Sequence, residues 1–228
     1  MNILECTHLS RYYGSAAEPM KALDDICFAV RQGSFTAITG PSGSGKSTLL
    51  HCLAGLDRPT QGEVLYQGNS IYTYRDKELA ILRRRQFGFV FQSYNLVKEL
   101  TGYENILLPL MLDKRPPDEA YLNRLISILG ISQRLDYLPG AMSGGQQQRF
   151  AIARALANKP QILFADEPTG NLDGQTGRMV MDLLRQLNQE LGVTLILVTH
   201  DLNVAEQAER IVHLTDGHIA RDSGEAAL

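Results

Sequence analysis

The sequence has no surplus of positive charge. Lys and Arg number 22 against 25 Asp and Glu, a formal net charge of −3 over 228 residues. A chain that coats nucleic acid needs excess cations to displace counterions, so the balance argues against that class. No stretch approaches the roughly 18 continuous apolar residues of a membrane helix. The most apolar candidate, Ile106–Leu112, is short and holds Pro109. The N-terminus lacks a basic start followed by an apolar run, so no signal peptide is expected. Cysteine is scarce: Cys6, Cys27 and Cys52 show no metal-ligand spacing. Three scattered cysteines suit a reducing compartment better than a disulfide scaffold and are expected to be structural. Repeats and low-complexity tracts are also missing. What remains is 44% hydrophobic and 21% charged, the balance of a folded globular chain rather than a disordered one.

Short apolar runs alternate with longer amphipathic ones. Ser34–Thr39, Phe87–Phe91, Ile162–Ala165 and Thr194–Val198 read as strands bounded by Gly, Pro, His or Asp. Their unbroken apolarity points to burial on both faces, as in a parallel sheet. Helical patterns cover Lys46–Ala54, Arg75–Arg85, Pro117–Leu129 and Gly177–Leu191. The expectation is an α/β fold with a mainly parallel sheet. Residues 1–39 and 61–74 carry strand-like pieces and turn signals, and read as an antiparallel patch. The stretch 93–157 holds helices and no good strand, and reads as a helical insertion. Residues 1–92 and 158–228 are then the α/β core, in one domain spanning 1–228. The run Arg83-Arg84-Arg85 reads as a solvated helix end next to a strand.

Gly40-Pro41-Ser42-Gly43-Ser44-Gly45-Lys46-Ser47-Thr48 fits G-x-x-x-x-G-K-[ST] between a predicted strand and a predicted helix. Glycines let the backbone curl so that several N–H groups point at phosphate oxygens. The helix N-terminus adds partial positive charge. Lys46 can reach the β- and γ-phosphates, and the Ser47 hydroxyl can ligate Mg²⁺. This loop predicts nucleotide binding.

A second cluster ends the apolar run Ile162–Ala165 with Asp166 and Glu167. Sites in parallel sheets form at the carboxyl ends of strands. Asp166 there is suited to hold Mg²⁺, and Glu167 to polarise an attacking water. His200 follows Thr194–Val198 and occupies the same kind of position. Ser143-Gly144-Gly145-Gln146 opens another amphipathic helix, a second anion site by the same dipole argument. Two chains placed head to tail would use both sites on one nucleotide.

The order of these elements resembles the ATP-binding cassette (ABC) proteins over nearly the whole chain. Tyr13, Gly40–Thr48, Gln92, Met142–Gln146, Asp166-Glu167, Asn171-Leu172-Asp173 and His200 match that family's A-loop, Walker A, Q-loop, signature, Walker B, D-loop and H-switch. Phe91–Leu96, Leu100-Thr101, Glu104-Asn105-Ile106, Leu108-Pro109-Leu110 and Asp166–Asp173 are similar to the subfamily containing LolD, MacB and FtsE. The resemblance implies a P-loop NTPase (RecA-like) core with an N-terminal antiparallel β-subdomain and a helical subdomain carrying the signature. It implies an ATPase using ATP and Mg²⁺, with Tyr13 stacked on adenine and Ser47, Gln92 and Asp166 around the metal. Glu167 is then the base and His200 orients the γ-phosphate. Met142, Ser143, Gly144, Gly145 and Gln146 bind the partner's ATP, and Asp173 contacts the partner subunit. The implied assembly is a homodimer with ATP and an integral-membrane permease, without nucleic acid, cytoplasmic and peripheral on the inner face of the cell membrane. Transport or mechanotransmission is the leading role, with regulation of a cell-wall or division complex as the alternative. Two departures stand out: Met142 replaces the usual Leu, and Tyr137–Ala141 keeps only Pro139 of the subfamily's usual His-Arg-Pro-Ser-Glu.

Overall fold

The computed structural model describes residues 1–15 and 18–224. They fall into two compact units, Met1–Arg83 with Thr194–Leu228, and Arg84–Val193.

In the first unit, β1 (Asn2–Ser15) and β2 (Glu18–Arg31) are long antiparallel neighbours, extended by β4 (Gln61–Tyr66) and β5 (Asn69–Ser70) in the order β2-β1-β4-β5. A second set of strands centres on β3 (Phe35–Thr39). It pairs parallel with β8 (Thr194–Val198), through Phe35–Leu195 to Ile38–Val198, and with β9 (Arg210–Thr215) on its other side. The strand β10 (His218–Asp222) closes that edge as an antiparallel hairpin with β9. Every residue of β3 and β8 is buried, which is why their sequences run apolar without alternation. The helix α1 (Lys46–Leu53) follows β3 and lies against β1, β2 and β8. The helix α2 (Asp76–Gln86) follows β5 in the chain.

In the second unit β6 (Phe87–Phe91) pairs parallel with β7 (Ile162–Asp166), from Phe87–Ile162 to Phe91–Asp166. Phe164 packs edge-on to Phe87 and stacks on Phe89, both with ring centroids 5.4 Å apart. Burying a side chain of this size stabilises by about 1.5–3 kcal/mol. Helices α3 (Gly102–Leu112), α4 (Glu119–Leu129), α5 (Gly144–Leu156) and α6 (Gly174–Leu191) complete the unit. Their starts are capped by side chains: Thr101 with Glu104 in a capping box, Asp118, Ser143 with Gln146 in a second box, and Asp173. The Asp173 cap starts α6 at Gly174, three residues ahead of the expected Gly177. Left-handed Gly130 and Gly192 end α4 and α6.

Parallel pairing at β3 and β6, the antiparallel β1–β2–β4–β5 sheet and the helices of the second unit make up the α/β architecture expected from the sequence. One local expectation is corrected. Arg83, Arg84 and Arg85 do end a helix next to a strand, and Arg85 is exposed, but their charges are paired rather than simply solvated. Arg83 donates to the Gly55 carbonyl at 2.7 Å, while Arg84 and Arg85 converge on Asp113, whose carboxylate is fully buried. A buried carboxylate needs paired donors, and the run supplies them. Among the described residues no helix is long and apolar enough to cross a membrane.

Candidate functional site

The phosphate loop of the first unit is built around glycines that no other residue can replace. Gly40 has φ +146°, and a Cβ there would sit 2.1 Å from the Leu214 carbonyl oxygen. Gly45 has φ +98°, and its Cβ would sit 2.3 Å from the Ala22 carbonyl oxygen. Both obstacles are backbone, so neither can step aside. Gly45 is the residue before α1, which points that helix's first N–H groups into the curl of the loop. Lys46 is buried and its ammonium donates to the Gly40 and Pro41 carbonyls at 2.9 and 2.7 Å. The Ser44 hydroxyl is buried without a hydrogen-bond partner among the described residues.

His200 stands on the same sheet end. β3 and β8 run parallel with Ile38 opposite Val198, so Gly40 and His200 both lie two residues beyond that pair. Thr199 is buried and its N–H donates to the Ile38 carbonyl at 3.1 Å, which fixes where the exposed His200 begins. On β1, the Tyr13 hydroxyl donates to Asp57 at 2.6 Å, and the Arg11 guanidinium covers the ring at 4.5 Å. Tyr12, the neighbouring aromatic, is anchored to Asp24 instead at 2.8 Å. Alternation along the strand sends the two rings to opposite faces.

The second unit assembles the other candidates. Phe91 pairs with Asp166, so Gln92 and Glu167 are the next residues off two adjacent parallel strand ends. Asp166 and Glu167 are half-buried, and Glu167 has φ +47°. A left-handed residue directly after a strand swings its side chain off the strand's alternation, so successive carboxylates serve different directions. Gln92 is held by Asn171: its Nε2 donates to Asn171 Oδ1 at 3.3 Å, and Asn171 Nδ2 donates back to the Gln92 carbonyl at 2.9 Å. Gly170 has no side chain because a Cβ would sit 2.7 Å from Gln92 Nε2.

Ser143 caps α5, accepting from the Gln146 N–H at 3.3 Å while its own N–H donates to Gln146 Oε1 at 2.9 Å. Gly145 lets Thr176 approach, since a Cβ would lie 2.4 Å from the Thr176 methyl group. Gly144 does the same for the Tyr94 hydroxyl at 2.7 Å. Met142 is buried, so the exchange for Leu is a packing substitution. The Asp173 carboxylate accepts from the Thr176 hydroxyl at 2.6 Å and from the Gln175 and Thr176 amides at 3.1 and 3.0 Å. The Thr176 hydroxyl and then its amide hold that carboxyl below the usual range.

Three residues make contacts that the sequence reading did not assign, although Asn171 and Asn105 stood in the motifs it matched. Asn171 holds Gln92, and Arg154 on α5 donates to the Tyr94 and Asn95 carbonyls at 3.0 and 2.5 Å. Fully buried Asn105 closes the following loop, accepting from the Val97 N–H at 2.8 Å and donating to the Val97, Leu100 and Thr101 carbonyls. A cavity of about 530 Å³ opens between residues 93–98 and 138–147, with Leu138 half exposed at its edge.

The ABC transporter family model matches residues 23–170. The chain is 47% identical to an uncharacterized ABC transporter ATP-binding protein, MJ1508, of Methanocaldococcus jannaschii, covering 95% of this chain and 97% of that one. It is 42% identical to the lipoprotein-releasing system ATP-binding protein LolD of Idiomarina loihiensis, over 97% and 98% of the two chains. A dimeric structure of a post-hydrolysis state of the ATP-binding cassette MJ0796, bound to ADP and Pi, superposes with a TM-score of 0.87 at 41% identity, over 99% and 100% of the two chains. The glycines, capped helices and strand-end carboxylates described above thus sit in a chain that belongs to the ABC transporter family, as an ATP-binding cassette ATPase.

Proposed function

We propose that this chain is the ATP-hydrolysing subunit of a membrane transporter of the LolD and MacB type, working as a head-to-tail homodimer that drives a permease. The observation that carries this reading is the pair of glycine-rich helix starts, at α1 and α5. Each presents backbone N–H groups and a helix dipole to an anion, and one nucleotide in one chain does not need both. Shared between two chains, the phosphate loop of one and Ser143–Gly145 of the other enclose the same triphosphate.

The residues then divide the work. The loop amides of Gly40–Thr48 and the Lys46 ammonium hold the phosphates, and the unpartnered Ser44 hydroxyl fits a phosphate oxygen. Tyr13 presents the ring face not covered by Arg11 to adenine. The Ser47 hydroxyl, Gln92 amide oxygen and Asp166 carboxylate are hard oxygen donors, the set that suits Mg²⁺. When bound, that ion neutralises charge on the β- and γ-phosphate oxygens. Glu167 accepts a proton from the attacking water, and His200 hydrogen-bonds the γ-phosphate and orients that water. Met142, buried under the start of α5, and Gln146, which completes its capping box, keep Ser143, Gly144 and Gly145 in place. Asp173 meets the partner subunit.

Gln92 leads into residues 93–157, the helical segment that carries motion outwards. The cavity beside Leu96 and Leu138 is where a permease helix would seat, on the inner face of the cell membrane. At its edge Tyr137, Leu138, Gly140 and Ala141 stand where the subfamily usually has His, Arg, Ser and Glu, so the permease segment is expected to carry less charge opposite them. Relatives named for lipoprotein release and for macrolide export support this reading.

Glu167→Gln tests it. Removing a general base lowers turnover by about 10²–10⁴-fold. ATP binding should survive, and light scattering after gel filtration should show a dimer with ATP and a monomer without it. Near-normal hydrolysis, or a monomer at saturating ATP, refutes the assignment. Tagged Glu167→Gln recovered from membranes with ATP should carry a permease. Recovery of cell-wall or division factors alone would favour the regulatory role instead.

A further inference from the structure

The antiparallel β1–β2 pair contains an irregularity unrelated to the nucleotide. The register runs from Cys6–Phe28 to Leu9–Ile26, so Thr7 and His8 together face the single residue Cys27. Beyond Leu9–Ile26 it resumes at Arg11–Leu23, which leaves Asp24 and Asp25 facing the single residue Ser10. These are two β-bulges, one on each strand. His8 and Asp25 both take left-handed backbone, φ +50° and +57°. A bulge re-aims a side chain, and here two of them send His8 and Asp25 to the exposed face where Cys27 stands.

The three donors are a histidine nitrogen, a carboxylate oxygen and a thiol sulfur, all within 4.8 Å of one another and all exposed. His8 Nδ1 lies 2.7 Å from Asp25 Oδ1. The His8 backbone N–H donates to Cys27 Sγ at 3.4 Å. An N–H aimed at sulfur is the kind of outer contact that orients ligands in metal sites. Cys6 and Cys52 are buried, so Cys27 is the accessible thiol among the three.

We propose that His8, Asp25 and Cys27 form a zinc site on the outer face of the antiparallel sheet. Nitrogen, oxygen and thiolate donors together suit Zn²⁺, with bonds of about 2.0–2.3 Å. Tetrahedral bonds of that length separate the ligand atoms by about 3.3–3.8 Å. Asp25 therefore moves off His8 by roughly half an ångström as the metal enters between them, and Cys27 closes in. Three protein ligands leave the fourth position open to water. The metal would pin β1 to β2 across both bulges, five residues from Tyr13.

The test uses the full chain, metal-free and without nucleotide. Co²⁺ is titrated while the absorption spectrum is read, and Zn²⁺ affinity is measured by competition with a chromophoric chelator. The expected result is one equivalent of metal with a thiolate-to-cobalt charge-transfer band. Cys27→Ser should abolish that band, and His8→Ala and Asp25→Ala should each weaken Zn²⁺ binding by more than about tenfold. All three side chains are exposed, so the variants are expected to keep the wild-type circular dichroism spectrum. Absence of the band in the wild type overturns the proposal. So does Zn²⁺ affinity that is unchanged in His8→Ala and Cys27→Ser.

Discussion

Arg154→Ala would remove the clamp on the segment that follows Gln92. Tyr94 and Asn95, whose carbonyls accept from Arg154, both hold left-handed backbone at φ +59° and +52°. Each such residue costs on the order of 1–2 kcal/mol. Hydrogen bonds from a charged donor contribute about 1.5–3 kcal/mol each. The two bonds and the two strained residues are therefore of similar size, and the guanidinium is what keeps the strain in place. Losing the two bonds shifts the balance by at least about 3 kcal/mol, a rise of roughly a hundredfold or more in the open population. Global stability falls by less, because burial disfavours the Arg154 charge and pulls its pKa below the ordinary value. Hydrogen exchange followed by mass spectrometry separates the two effects. Peptides spanning 92–100, including the Val97 amide bonded to Asn105, should exchange about a hundredfold faster, while peptides from α5 and β7 stay near wild type. ATP turnover should fall through kcat rather than KM, since Gln92 heads the loosened segment. Unchanged exchange over 92–100, or equal acceleration throughout the chain, would refute the reasoning.

Two further substitutions follow from the same geometry. Gly45→Ala must accommodate both φ +98° and a Cβ 2.3 Å from the Ala22 carbonyl oxygen, so its urea midpoint should drop by the equivalent of about 2–4 kcal/mol; Gly43→Ala, which meets nothing within 4 Å but has φ +79°, should lose only about 1 kcal/mol. Hydrogen bonds from Arg85 and then Arg84 hold the Asp113 carboxyl below its usual range, so its contribution is full above the unfolded pKa of about 3.9 and is lost as pH falls through the lower folded value. Stability curves of wild type and Asp113→Asn should diverge above that range and converge in acid, and parallel curves would contradict the assigned ion pairs.

What was legible in the sequence was local. The phosphate loop, Ser143–Gln146 and Asp166-Glu167 are each contiguous, and their chemistry depends on neighbours along the chain. Buried strands such as β3 and β8 announced themselves by unbroken apolarity. Contacts across the fold left no such trace. Asn171 is 79 residues from Gln92, and Arg154 is 60 from Tyr94. The arginines of α2 were read as solvated because Asp113, 28 residues on from Arg85, has nothing in its local pattern to mark it as buried. Cysteine spacing likewise gave no hint of His8, Asp25 and Cys27, since bulges on opposing strands bring them together.

Lys46 carries a consequence for any experiment on the phosphate loop. Its ammonium is bonded to the carbonyls of Gly40 and Pro41, six and five residues behind it, so it stitches the turn it belongs to. A nucleotide therefore meets a turn already shaped, and little ordering entropy is charged against its affinity. The stitch also makes Lys46→Ala two experiments in one. It deletes a cation that attracts phosphate, and it unties the backbone whose amides do the rest. Lys46→Arg, which keeps the charge but changes the shape of the donor, would separate the two losses.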